Sequence, residues 1–127
     1  MTSAPVSLYH RNLAGGGWGK LDLVEQMANI GSEVERTIRA HRTGKTNRFE
    51  PAFDRALELF DLTATDARWR GGRRREILRA RDEFCRLFFD PDVPGDSAEG
   101  LRRYFFHFAL LAQEARHRGR RDGEAKL

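Results

Sequence analysis

Leu21-Asp-Leu-Val-Glu-Gln-Met-Ala-Asn-Ile-Gly-Ser-Glu-Val-Glu-Arg-Thr-Ile-Arg-Ala-His-Arg42 is the stretch that decides the fold. Val24, Met27, Ile30, Val34, Ile38 and His41 recur every third or fourth residue, which sets them on one face of an α-helix. Thr43-Gly44 ends the pattern. Gly31 lies inside it, where glycine costs about 1 kcal/mol relative to alanine, and so predicts a close approach by a second helix. No stretch of the chain alternates with a period of two, so no strand is predicted.

The same period continues outward. A second helix is predicted from Asn47, as N-cap, to about Thr65, with Pro51 near its first turn. Its apolar residues, among them Phe49, Phe53, Leu57 and Phe60, cover more than one stripe and require two neighbours. A third helix is predicted from near Arg73 to near Phe89, ahead of Asp90-Pro91. Arg81 falls among its apolar positions and calls for a carboxylate from Glu33, Glu58 or Asp61, unless its head reaches solvent. Asp96 and Glu99 form a capping box that opens a fourth helix, whose apolar face runs from Leu101 through Phe105 and Phe108 to Ala115.

Four amphipathic helices with short connections predict an all-α, up-and-down four-helix bundle. Residues 21–118 make the bundle. Residues 1–20 form an N-terminal arm, broken by Pro5 and Gly15-Gly16-Gly17 but carrying Leu8, Tyr9, Leu13 and Trp18 to dock. Residues 119–127 form a basic, partly disordered tail. The 127 residues make one domain, able to bury roughly two-thirds of the surface of the unfolded chain.

The net charge of +4 is unevenly placed. Residues 21–67 carry six bases against nine acids, residues 68–81 seven arginines against one glutamate, and residues 82–101 one base against six acids. The densest run is Arg68-Trp69-Arg70-Gly71-Gly72-Arg73-Arg74-Arg75, with Arg79 a turn further on. Like charges at this density repel one another, and a dense anion such as nucleic-acid phosphate would favour them. Three consecutive arginines at a helix N-terminus oppose the helix dipole unless an anion binds there. Trp69 offers a stacking surface for a base. A second basic run, Arg116-His117-Arg118-Gly119-Arg120-Arg121, closes the fourth helix.

Motifs for chemistry are sparse. Cys85 is the single cysteine, which rules out a disulfide within the chain, and its setting between Phe84 and Phe88 reads as packing. His10, His41, His107 and His117 lack ligand spacing, so no metal site and no cofactor are predicted. Gly15 to Lys20 is followed by Leu21 and lacks the spacing of a phosphate-binding loop. Arg102 and His107 do have the R-x4-H spacing, which resembles the motif of HEPN ribonucleases. That resemblance implies His107 as proton-transfer group and Arg102 as stabiliser of the phosphorane charge. Arg36 and His41 share the spacing, and on one helix a five-residue offset separates two side chains by about 140°.

Trp18 to Arg36, Ala52 to Thr63 and Tyr104 to Ala109 resemble segments of a family of small, largely uncharacterised bacterial helical proteins, over roughly residues 8–116. In architecture, size and charge the chain is also similar to the four-helix-bundle accessory proteins of diversity-generating retroelements. That similarity implies a reverse transcriptase and its RNA as partners. The expectation is a cytoplasmic, non-catalytic accessory protein that forms a homo-oligomer, has no membrane span, and binds RNA or DNA. Its site would comprise Arg68, Trp69, Arg70, Arg73, Arg74, Arg75 and Arg79, joined by Arg116, Arg118, Arg120 and Arg121. A HEPN-like ribonuclease or a protein-docking bundle without nucleic acid is the alternative.

Overall fold

The computed structural model describes residues 17–125, with side chains through residue 121. A 3-10 turn at Trp18–Lys20 leads into α1 (Leu23–Arg42), α2 (Thr46–Ala64), α3 (Gly72–Phe89) and α4 (Ser97–Ala125), with no strand among the described residues. The helices form the four-helix bundle that the periodicity predicts.

Each end of α1 is chemically defined. Asp22 is its N-cap and accepts a hydrogen bond from the Glu25 backbone N–H at 2.9 Å. At the other end the Lys45 N–H donates to the Ala40 carbonyl at 3.0 Å and the Gly44 N–H to that of His41 at 3.3 Å. These are the paired bonds of a Schellman motif. Gly44 sits at φ +69°, where a side chain would be strained.

Met27, Ile30, Val34 and Ile38 of α1 are buried against Ala56, Leu59 and Phe60 of α2, Ile77, Ala80 and Phe84 of α3, and Leu101 and Phe105 of α4. The central helix is α1, which packs closely on α2 and α4, while α3 lies more loosely across α2 and α4. Side-chain size accounts for the difference, because small residues let axes approach and rings hold them apart. A Cβ built on Gly31 would stand 2.8 Å from the Cβ of Phe105 on α4, the close approach predicted at that glycine. By contrast, α3 meets α2 through rings: Phe53 stacks on Phe84 at 5.3 Å, and Phe88 meets Phe49 edge-on at 5.1 Å.

Arg81 reaches Asp61, one of its three candidate carboxylates, with its Nε 3.0 Å from Asp61 Oδ1, but the pair lies at the surface rather than in the core. Glu58, another candidate, keeps one buried carboxylate oxygen without a hydrogen-bond partner, and burial raises its pKa.

Some boundaries differ from the sequence reading. The N-cap of α2 is Lys45, not Asn47, because the Schellman turn delivers the chain into helix as soon as it ends, and Pro51 falls inside the helix. His41 is exposed rather than part of the core face, although its ring meets Phe88 at 5.0 Å. No break occurs at Gly119, for α4 continues to Ala125, carried by arginines that favour helix. Of the N-terminal arm, Trp18 is buried in the core. Residues 1–16 and the last two residues of the tail lie outside the described residues.

Gly31→Ala should destabilise the bundle by about 1–2 kcal/mol, since the new methyl meets a Cβ tied to the α4 backbone. Gly100→Ala, with nothing within 4 Å of its added Cβ, should instead stabilise by roughly 0.5–1 kcal/mol. Urea denaturation of the two variants measures both signs.

Candidate nucleic-acid interface

The connection from α2 to α3 is positioned by one buried amide. Gln26 on α1 is fully buried, and its Nε2 donates to the Trp18 carbonyl at 2.9 Å and to Asp66 Oδ2 at 3.1 Å. Its Oε1 accepts from Trp69 Nε1 at 2.7 Å. The indole of Trp18 donates in turn to Thr63 Oγ1 at 3.0 Å. Asp66 then holds Arg68, which donates to it from Nε at 3.0 Å, from Nη2 at 2.7 Å and from its backbone N–H at 3.0 Å. Arg68 Nη2 also reaches the Leu21 carbonyl at 2.7 Å. These bonds, above all those from Arg68, hold the Asp66 carboxyl well below the ordinary aspartate range.

After this knot the chain turns at Gly71, whose φ of +60° favours glycine, and enters α3. The first turn of α3 has neither a capping side chain nor an acid. Arg73, Arg74 and Arg75 occupy it, all exposed. None of the three forms an ion pair among the described residues, and neither does Arg70, whose Nε donates to the Ala67 carbonyl at 3.0 Å. Arg73 lies 5.7 Å from the centroid of the Trp69 ring. A hollow of about 370 Å³ opens between Arg70 and Arg74.

Several predicted site residues are otherwise engaged. Trp69 is only 9% exposed, with its indole N–H bound to Gln26, so it belongs to the core and offers no face for a base. Alternation of charge around a tryptophan is the same whether its ring points out or in, so the flanking arginines carry no signal of its burial. Arg68 is spent on Asp66, and Arg79 is paired with both Glu76 and Glu83. Arg116 reaches back to Glu25 at 3.1 Å.

Arg118, Arg120 and Arg121 remain exposed on the last turns of α4. The Arg116 to Glu25 contact fixes this segment at the end of the bundle where α1 begins, the end that also carries the start of α3. The structure therefore brings the free arginines of both basic runs to one pole.

The R-x4-H pair has a different setting. Arg102 makes a two-bonded pair with Glu35, both contacts at 2.7 Å, and a third bond to Glu99 at 3.0 Å. His107 is exposed, its ring 6.1 Å from that of Phe108. Within one chain the two side chains leave α4 about 140° apart. Burial pushes the Cys85 thiol up and the Tyr104 phenol to about 12, the direction opposite to nucleophile activation. Among the described residues no three His, Cys, Asp or Glu side chains could hold a metal ion together, and no helix is long and apolar enough to cross a membrane.

Comparison with known proteins finds no matching family model, no similar curated protein and no similar solved structure.

Sequence reasoning missed the positioning roles of Gln26 and Asp66. It also missed a second gathering of cations, on α1 and α2 toward the other pole. Helical spacing carried that signal, since Arg36 and Arg39 share a face of α1, and Arg48 and Arg55 lie two turns apart on α2.

The depressed Asp66 pKa sets a pH dependence. Its stabilisation is present in full above the ordinary aspartate value of 3.8 and is lost as pH falls below it toward the folded value. Asp66→Asn should therefore be less stable than the parent at pH 6, and the gap should narrow steadily as pH falls below about 4. Urea midpoints across that range would show it.

Proposed function

We propose that this bundle binds nucleic acid, RNA in preference, as a non-catalytic accessory protein of a nucleoprotein complex. One observation carries the reading: Arg70, Arg73, Arg74 and Arg75 crowd the N-terminus of α3 without an acid to neutralise them. The helix dipole adds positive potential at that point, so a bound phosphate relieves both the repulsion between guanidiniums and the cost of placing cations there. Arg118, Arg120 and Arg121 extend the same pole. Contacts of this kind are with backbone phosphate, so they give affinity and leave sequence choice to a partner. A reverse transcriptase acting on RNA is the partner that the architecture, size and charge suggest.

The proposal includes self-association. Phe106 and Leu110, 62% and 43% exposed, share one face of α4 and would be covered by a second copy.

RNA binding should weaken steeply with salt. For single strands the slope of log K against log salt is about −0.7 per phosphate contacted, so Arg73→Ala/Arg74→Ala/Arg75→Ala should flatten it by about 2. Filter binding from 50 to 300 mM salt measures the slope; no RNA binding at low salt, or an unchanged slope in the variant, would reject the site.

For the oligomer, light scattering at tens of micromolar should show a dimer, and Phe106→Glu/Leu110→Glu a monomer. A parent that is monomeric at that concentration removes this part of the proposal.

A further inference from the structure

Between the second half of α1 and the first half of α2 lies a cavity of about 540 Å³ whose charged lining is wholly basic: Arg36, Arg39, Lys45, Arg48 and Arg55. Its apolar surface comes from Ala40, Pro51 and Ala52, and its neutral polar groups are Thr43 and Asn47. The small residues are what make it concave, because α1 and α2 pack closely through Ala40 and Ala52 and leave the longer side chains to stand around the gap. Cations of this number around one concavity cost free energy in the empty state through mutual repulsion.

Two carboxylates hold part of the rim in place. Glu33, nearly buried, takes Arg36 at 2.9 Å and Arg55 at 3.2 Å, and Glu35 takes Arg39 at 3.2 Å. Neither carboxylate lines the cavity. They hold Arg36, Arg39 and Arg55 without entering the lining, which therefore presents only cations to the cavity. Lys45 and Arg48 form no ion pair among the described residues, and both are exposed.

We infer that this cavity is a binding site for the phosphate chain of a nucleotide, either as a free nucleoside triphosphate or as the 5′-triphosphate end of an RNA strand. A cavity of this size falls within the range that encloses a small ligand. A triphosphate is compact and multiply negative, as a lining whose charged residues are all basic requires, and arginine forks bind its oxygens through paired N–H donors. The alanine and proline surface accepts the flat face of a base or the edge of a ribose, and the Asn47 amide can both donate and accept at a base edge. The site is separate from the arginines of α3, which lie at the opposite pole.

The test is isothermal titration of the full chain with tripolyphosphate, with ATP, and with one short RNA carrying either a 5′-triphosphate or a 5′-hydroxyl. Binding of tripolyphosphate at up to about 1 mM is expected, and Lys45→Glu/Arg48→Glu should weaken it by about tenfold or more. Both side chains are exposed and unpaired, so the variant should fold, and an unchanged circular dichroism spectrum and melting temperature would show that it does. ATP binding as tightly as, or more tightly than, tripolyphosphate identifies the free nucleotide as ligand. A preference for triphosphorylated over hydroxyl-ended RNA that disappears in the variant identifies the strand end.

Arg73→Ala/Arg74→Ala/Arg75→Ala serves as the separate control. It removes the phosphate site proposed at α3, and in its background the component of tripolyphosphate binding that Lys45→Glu/Arg48→Glu weakens should persist, even if the α3 reading fails altogether. Absence of tripolyphosphate binding, equal binding by the Lys45/Arg48 variant, or loss of it in the α3 variant would each overturn the assignment. So would equal affinity for the two RNA ends in the absence of ATP binding.

Discussion

The buried amide of Gln26 is the constraint on which the arginine-bearing pole depends. An amide out of water must use its donors and its carbonyl or pay for their desolvation, at roughly 1–3 kcal/mol per lost group. Here the partners dictate its orientation. The Trp69 indole can only donate and the ionised Asp66 carboxylate can only accept, so the carbonyl must face the first and the amine the second. The two tryptophans are thereby anchored to one residue of α1, and through Asp66 and Arg68 the connection is tied back to Leu21. Gly71 then turns the chain outward from a fixed point. The exposed arginines of α3 are held in place by a core that contains none of them.

Ion pairing decides which arginines can meet a ligand. Exposed pairs add little to stability, typically below about 1 kcal/mol, so those on this surface matter mainly for the charge they remove. Glu25 takes Arg116, Asp61 takes Arg81, and Glu76 with Glu83 takes Arg79. Arg102 is shared by Glu35 and Glu99, and Glu99 also receives Arg42 at 2.8 Å. Where an acid stands within reach, the guanidinium becomes part of the bundle's lateral surface. Arg70, Arg73, Arg74 and Arg75, among the described residues, have no such carboxylate in reach and are left without an ion pair.

The sequence made much of the bundle legible and little of its charge geometry. Periodicity places Met27, Ile30, Val34 and Ile38 on the core face, and Gly31 marks the α4 crossing, because both depend on local spacing within a helix. The Arg81 to Asp61 pair was legible only in part: Asp61 was among the carboxylates expected for a buried Arg81, but the pair stands at the surface. Trp69 was not. Its burial depends on Gln26, far away in the chain, and nothing in its neighbours announces the bond. The basic cavity was hidden for the complementary reason. Its residues come from residues 21–67, where nine acids outnumber six bases, and only the packing of α1 on α2 gathers five of those bases, and none of the acids, around one concavity.

Separation of the two basic regions has a consequence for how they can act together. The twenty residues of α1 span about 30 Å at 1.5 Å per residue, and the cation groups lie toward opposite ends of that length. At physiological ionic strength the Debye length is about 8 Å, so the exposed charges of one region are largely screened from the other. A small anion at one pole therefore leaves the other pole's affinity nearly unchanged. A nucleic-acid strand long enough to reach both is different, because its second contact becomes intramolecular and gains from the effective concentration set by the intervening strand. Strand length, more than the count of arginines, is then what would couple the two regions.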